Sequence, residues 1–217
     1  MGGYMKNILL CNNSMGIGGV ETVILNQITA FSKKGYNVYV VAGKGIYSDK
    51  VEKLGGHFIE CDFPEENEVN IDRINIIVRI IKEYNITEIH IHKYQCILSV
   101  MPAALITGVP YFAYEHGIKD TRAYYTWNYP IYKSMFPIYF KNAYKIIAIT
   151  TDVTEFTKNA YNIPPEKYII IHNGIDFNLY NNPNPKYENK IEKVLIVSRL
   201  TEEKVKTIVE GIDVFKR

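Results

Sequence analysis

The sequence is poor in several features that mark other classes of protein. Its three cysteines stand singly, without a Cys-x-x-Cys pair, which indicates no structural zinc and favours reduced thiols in a cytoplasmic protein. The net charge is only +2 over 217 residues, so a nucleic-acid partner is not indicated. No apolar run approaches the roughly 18 residues of a membrane-spanning helix. What remains, 47% hydrophobic and 22% charged residues, is the composition of a folded protein.

Short β-rich runs alternate with longer helical patterns, which is typical of a parallel sheet with crossover helices. Strands are predicted at residues 7–12, 37–42, 57–61, 88–92, 111–115, 145–150 and 168–172. Helices are predicted at residues 20–34, 48–54, 70–84, 95–107, 121–142 and 152–161. The predicted fold class is therefore α/β, with a Rossmann-like, three-layer parallel sheet.

Helix ends can be predicted from the residues that flank these patterns. Gly35, Gly55 and Gly108 are expected to close three helices in the left-handed conformation that glycine adopts without strain. Thr151 or Asp152, followed by Glu155, resembles a capping box at the start of the sixth helix.

A domain boundary is predicted where a polar, turn-rich stretch follows Asp176. Counting from Met5, we predict a Rossmann-like domain over residues 5–176, a linker over 177–192 and a final βα unit over 193–217. One strand and one helix cannot bury both of their faces. The last unit is therefore expected to be an incomplete second domain that packs on the first domain, on a partner or on further sequence.

A glycine-rich loop, Asn13–Gly19, joins the first strand to the first helix. Gly18 and Gly19 would let a ligand approach the backbone, and the free amides at a helix N-terminus attract anions such as phosphate. A bare tight turn would need glycine as well, so both interpretations stay open. An NAD site is disfavoured because Glu21 stands at the third fingerprint position, and Gly43-Lys44 ends the second strand without an acid for the ribose.

Four short motifs occur in order along the chain. They are Gly18-Gly19-Val20-Glu21, Tyr114-Glu115-His116-Gly117, His172-Asn173-Gly174-Ile175-Asp176 and Val197-Ser198-Arg199-Leu200-Thr201-Glu202-Glu203-Lys204. They resemble four features of glycosyltransferase family 4: the Gly-Gly-x-Glu loop, the His-Gly or His-Asp turn, the interdomain Asn-Gly-(Val/Ile)-Asp hinge and the Gly-Arg-Leu-x-x-Glu-Lys-Gly loop. That family comprises retaining enzymes with the GT-B fold, and the resemblance covers nearly the whole chain.

The resemblance implies roles for residues of the first domain. Gly18 and Gly19 would border the donor sugar or its diphosphate, and Glu21 would order their loop. His116 would face the transferred sugar at the catalytic centre. Asn173, Gly174 and Asp176 would form the hinge between domains.

The resemblance also implies that Arg199 and Lys204 neutralise the leaving diphosphate, because paired cations stabilise charge that grows on the departing oxygen. No metal and no other cofactor is expected, and the sequence contains no Asp-x-Asp triplet. Ser198 and Val205 stand where the family usually has glycine, which restricts how closely a diphosphate can approach.

Two histidines of the fourth strand are further candidates. His90 and His92 alternate with isoleucines, so the two imidazoles share one face of the strand. They could begin a metal site, although only two ligands are visible, or be hydrogen-bonded residues of the sheet. His92, together with Asn13, is our candidate for binding the acceptor, because α/β proteins bind ligands at the carboxyl ends of their strands.

Residues 119–145 combine many aromatic rings with lysine and arginine. Within them an aromatic stripe at helical spacing consists of Tyr125, Tyr129, Tyr132, Phe136 and Tyr139. Such a stripe suits peripheral contact with an anionic membrane, here the inner face of the plasma membrane. It equally suits a helix that faces the core.

Together these features predict a cytoplasmic, hexosyltransferase-type enzyme of polysaccharide biosynthesis. It would transfer a sugar from a nucleotide-sugar donor to a cell-surface glycan or lipid-linked acceptor, with retention of configuration. The glutamate pair that grips the donor in the family has no counterpart up to residue 217, so this chain alone is expected to be inactive. Two rivals are a non-catalytic acceptor-binding subunit that needs a partner chain, and an unrelated nucleotide-binding α/β enzyme.

Overall fold

The computed structural model describes residues 5–64, 66–117 and 130–175, together with Val205 and Val209. The chain divides into two compact units, Met1–Gly174 and Ile175–Arg217. Val205 and Val209, in the second unit, are helical and exposed. The fold described below is that of the first unit.

The first unit contains one sheet of seven parallel strands in the order β3-β2-β1-β4-β5-β6-β7. The strands are β1 Asn7–Ser14, β2 Asn37–Gly43, β3 Gly56–Glu60, β4 Glu88–Ile91, β5 Tyr111–Glu115, β6 Lys145–Ala148 and β7 Tyr168–Ile170. Residues 8–11 of β1 are fully buried, because a central strand of such a sheet is covered on both faces. The predicted seven-stranded, Rossmann-like α/β fold is confirmed.

Helices cover both faces of the sheet. They are α1 Gly19–Lys33, α2 Ser48–Lys53, α3 Ile71–Glu83, α4 Ile97–Thr107, α5 Ile131–Asn142 and α6 Thr151–Tyr161. On one face, Ile24 and Ile28 of α1 and Val51 of α2 pack with Ile8 and Leu10 of β1. The opposite face, including Leu9 and Cys11, packs with residues of α3, α4, α5 and α6. These are the three predicted layers.

The predicted glycine caps are confirmed, with positive φ of 79° at Gly35, 88° at Gly55 and 72° at Gly108. The predicted start of the sixth helix is wrong by one residue. Thr150 is the N-cap of α6, because its side-chain oxygen accepts a hydrogen bond from the amide of Val153 at 3.3 Å.

The aromatic stripe is a core feature wherever the structure describes it. Tyr132, Phe136 and Tyr139 are at most 4% exposed and pack in the core on the α5 face of the sheet. A membrane-facing role for these three rings is therefore wrong, because burial leaves them no surface to offer a lipid. Tyr125 and Tyr129 lie outside the described residues. Across the ranges that the structure describes, no helix has the length and apolar character to cross a membrane.

Candidate functional site

The carboxyl ends of β1, β4 and β5 lie side by side at one edge of the sheet. The amide of His92, directly after β4, donates to the carbonyl of Cys11 in β1 at 2.9 Å. From β1 the chain continues outward to β2 and β3, and from β4 it continues in the opposite direction to β5, β6 and β7. Accordingly, α1 packs on one face of the sheet and α4 on the other. Such a switch point opens the crevice in which α/β proteins bind ligands. Asn13, His92 and His116 all lie at this edge.

The glycine loop meets the N-terminus of α1 at this edge. Gly18 is the N-cap, with extended backbone, and Gly19 is the first, exposed residue of the helix. A Cβ atom at Gly18 would overlap a carboxylate oxygen of Glu21, whereas a Cβ atom at Gly19 would meet nothing within 4 Å. Gly18 therefore makes room for Glu21, and Gly19 leaves the end of the helix open to a ligand.

Glu21 ties the helix to the end of β1. Its side chain is only 7% exposed, and its Oε1 accepts a hydrogen bond from Nδ2 of Asn12 at 3.1 Å. Asn12 is fully buried, and its Nδ2 also donates to the carbonyl of Ser14 at 2.6 Å. Sequence analysis missed Asn12, although an amide that ends an apolar strand is a visible signal. The contacts agree with the loop-ordering role that the family resemblance implies for Glu21.

A second loop, between β2 and α2, supports the first. The amide of Met15 donates to the carbonyl of Gly43 at 3.0 Å, and the amide of Tyr47 donates to the carbonyl of Met15 at 2.9 Å. A Cβ atom at Gly45 would overlap the backbone of Met15. The glycines after β2 therefore allow the two loops to pack closely.

His90 is a hydrogen-bonded residue of the sheet. Its Nδ1 lies 3.0 Å from the hydroxyl of Tyr114, and its Nε2 lies 3.3 Å from Oε1 of Glu88. Burial lowers the pKa of His90, so this imidazole is neutral. The hydrogen bond from His90, with a second from Lys6 at 2.7 Å, lowers the pKa of Glu88 to about 2. No cluster of three metal-ligating side chains occurs in the part of the chain that the structure describes.

His92 and His116 lie together at the carboxyl edge. Nδ1 of His92 is 3.0 Å from Nε2 of His116, and the His92 ring stacks on Tyr114 with centroids 4.2 Å apart. His92 is 3% exposed, and burial, with a further contribution from His116, lowers its pKa well below 6.5. His116 is half-buried and so retains some exposed surface at the crevice.

The hinge motif begins just after β7 and contacts the backbone that follows β6. Nδ1 of His172 lies 2.8 Å from the carbonyl of Ile149, and the exposed Gly174 carbonyl accepts from Nδ2 of Asn26 in α1 at 3.5 Å. Asn173 is exposed as well. The remaining predicted site residues, Asp176, Arg199 and Lys204, lie outside the described residues.

A cavity of about 620 Å³ lies at the opposite end of the sheet, where β5 and β6 begin. The two lysines that line it donate hydrogen bonds to backbone carbonyls. Nζ of Lys145 donates to Glu166 at 2.7 Å, and Nζ of Lys167 donates to Ala143 at 2.6 Å. Because it is remote from the glycine loop and His116, it plays no part in the candidate site.

Several solved structures of similar fold are glycosyltransferases. A glycosyltransferase from Rickettsia africae ESF-5 matches with a TM-score of 0.64 and 19% identity, over 97% of this chain and 50% of that one. Anabaena Alr3699/HepE in complex with UDP-glucose matches with a TM-score of 0.66 and 17% identity, over 82% of this chain and 46% of that one. The lipopolysaccharide outer core galactosyltransferase WaaB matches with a TM-score of 0.58 and 16% identity, over 80% and 47% respectively.

The chain thus spans about half the length of the solved structures that it matches. No protein of curated function matches it in sequence. The family model for Glycosyltransferase Family 4 matches residues 17–179, which begin in the glycine loop and end just after the hinge motif. The chain therefore belongs to glycosyltransferase family 4.

Proposed function

We propose that the chain is the acceptor-side part of a glycosyltransferase that uses a nucleotide-sugar donor. The observation that carries the proposal is that an open helix N-terminus, at Gly19, and the His92–His116 pair follow the carboxyl ends of neighbouring strands at one switch point of the sheet. Backbone amides at a helix N-terminus bind phosphate oxygens, and imidazoles bind hydroxyl groups. The phosphates and the sugar of a nucleotide sugar therefore each have a partner of suitable chemistry.

The donor that we favour is a UDP-sugar. HepE, whose fold is similar, was solved in complex with UDP-glucose. WaaB, also similar in fold, is by its description a lipopolysaccharide galactosyltransferase. These likenesses support a hexose donor and an acceptor that is a cell-surface glycan or its lipid-linked precursor.

The transfer that we propose retains the configuration of the sugar. The acceptor hydroxyl attacks the anomeric carbon on the face from which the diphosphate departs, so a new C–O bond forms as the C–O bond to phosphate breaks. The hydroxyl proton passes to the departing phosphate oxygen, which balances the reaction without a metal. Arg199 and Lys204 would neutralise the negative charge that grows there.

Transfer by this chain alone is not expected, because the donor-gripping glutamates of the family have no counterpart in it. The intact gene product should release UDP from a UDP-sugar when acceptor is present. A native product that binds acceptor without releasing UDP would instead identify the non-catalytic subunit.

We place the enzyme in the cytoplasm, which is supported by three free cysteines, two of them buried. Contact with the membrane now depends on Tyr124, Tyr125 and Trp127, which stand near Lys119 and Arg122 in the sequence. Absence of co-sedimentation with anionic liposomes would remove this part of the proposal.

Donor binding can be tested on the chain itself by NMR titration. UDP-glucose should shift the amide signals of Gly18 and Gly19 and the ring signals of His116, whereas NADH should not. A Gly19→Asp variant should fold normally, because a side chain there meets no neighbour and a carboxylate suits a helix N-terminus. It should nevertheless lose the response to UDP-glucose, since the new charge repels a diphosphate.

The opposite pattern, shifts caused by NADH and none by UDP-glucose, would favour the unrelated nucleotide-binding enzyme. An undiminished response of the Gly19→Asp variant would show that the helix N-terminus is not the phosphate site.

A further inference from the structure

The contact between His92 and His116 fixes where their protons lie. The two rings face each other through nitrogens 3.0 Å apart, so one nitrogen must donate and the other must accept. Which one donates decides what chemistry the half-buried His116 offers at the crevice.

His92 is neutral, and so it carries a single N–H. The ring is buried against Tyr114, and burial lowers its pKa well below 6.5, to which the nearby Lys93 ammonium adds. Its one hydrogen therefore lies on Nδ1, towards His116, or on Nε2.

The surroundings of Nε2 decide between these two forms. Nε2 of His92 is buried and has no hydrogen-bond partner among the residues that the structure describes. A hydrogen there would leave a buried N–H donor without an acceptor, which is rarer in folded proteins than an unsatisfied acceptor. A hydrogen on Nδ1 instead points at Nε2 of His116. The second form is therefore favoured.

The orientation of both rings is fixed by stacking. Tyr114 lies against His92 and, at 5.9 Å between centroids, against His116, with the planes of Tyr114 and His116 only 18° apart. Tyr114 is itself held by His90, whose Nδ1 lies 3.0 Å from its hydroxyl. The rings are therefore held with Nδ1 of His92 facing Nε2 of His116.

We propose that His92 is a positioning residue that donates its Nδ1–H to Nε2 of His116, so that neutral His116 carries its proton on Nδ1. In this form the Nε2 lone pair of His116 is occupied by the hydrogen bond from His92 and is not available as a base towards a ligand. That the ligand is a nucleotide sugar rests on the proposed function; the placement of the protons does not.

Long-range nitrogen–proton correlation NMR on protein labelled at histidine measures this directly, since the chain has only five histidines. A His116→Gln variant identifies the signals of His116. In the unliganded wild type we expect His116 to be protonated on Nδ1 and not on Nε2, and His92 likewise. A His116 that carries its proton on Nε2 would overturn the proposal.

Two substitutions separate positioning from packing. His92→Phe keeps a ring against Tyr114 but has no nitrogen, so His116 should lose its confinement to the Nδ1–H form. His92→Asn places an amide donor near the former Nδ1 and should preserve that form. An unchanged His116 signal in a folded His92→Phe variant would contradict the positioning role.

The wild-type spectrum decides the matter even if the Phe variant does not fold. The predicted tautomer, together with an intact gene product that shows no response to UDP-glucose, would leave the His92 assignment standing and remove the nucleotide sugar as the ligand.

Discussion

Two neighbouring glycines of the candidate site meet different physical demands. Gly18 is required by packing, because its missing side chain is replaced by the carboxylate of Glu21, which is bound to Asn12. Gly19 is not required by packing at all. A glycine that the fold does not need, at the open end of a helix on the carboxyl side of the sheet, is more simply explained by the approach of a ligand.

This difference predicts opposite effects on stability. Gly18→Ala should displace the Glu21 carboxylate and leave the buried Asn12 amide poorly satisfied, lowering the free energy of unfolding by about 1–3 kcal/mol. Gly19→Ala should leave it unchanged or raise it by a few tenths of a kcal/mol, since alanine is the better helix residue. Urea unfolding of both variants measures the difference. Equal losses would mean that Glu21 moves aside at no cost.

At the scale of elements, the glycine loop after β1 is shaped by the loop after β2. Met15 exchanges backbone hydrogen bonds with Gly43 and Tyr47, and Gly45 lies against its carbonyl. The ligand loop is thus positioned by backbone contacts from a neighbouring element, and a change in the second loop should be felt in the first.

Gly45→Ala provides the test, with Lys44→Ala as its matched neighbour. The new methyl group must displace backbone, so we expect a lower melting temperature and shifted amide signals at Gly18 and Gly19. Lys44 is exposed, and its truncation should change neither quantity. Unchanged signals at Gly18 and Gly19 in the Gly45→Ala variant would show that the loops are independent.

Local patterns predicted the elements well, and contacts between elements poorly. The strand and helix ranges, and the caps at Gly35, Gly55 and Gly108, follow from periodicity and from glycine's conformational freedom. The stripe containing Tyr132 could not be assigned from sequence, because the same spacing suits a core and a membrane surface. The Asn12–Glu21 and His92–His116 contacts join different elements, which no periodicity reports.

At the scale of the whole unit, a polar column follows the sheet from one edge to the other. It begins with Lys6 and Glu88 at the amino ends of β1 and β4, continues through His90 and Tyr114, and ends at the His92–His116 pair. From Lys6 to His92, the charged residues of this column are Lys6 and Glu88, which form an ion pair that is partly exposed to solvent. The fold therefore depends on His90 and His92 staying neutral.

This dependence predicts that the protein loses stability in mild acid. Both histidines have a folded-state pKa below the ordinary 6.5, so below pH 6.5 the unfolded chain binds protons that the folded chain refuses. Their contribution to the free energy of unfolding is complete above pH 6.5 and is lost as the pH falls. For two protons, the free energy of unfolding falls by at most about 2.7 kcal/mol per pH unit. Glu88 adds to the loss only below its ordinary 4.5, towards about 2.

Urea unfolding between about pH 7.5 and pH 5 therefore isolates the two histidines. His92→Phe should make the free energy of unfolding fall less steeply with pH, by up to the contribution of one proton. The reason is that one of the two groups that resist protonation is gone. His57→Asn, at an exposed position, is the matched control, because it removes an imidazole that lies outside this column. A wild-type free energy of unfolding that stays constant over this range would mean that acid protonates these imidazoles without destabilising the sheet. The stability of this part of the fold would then not depend on the neutral column.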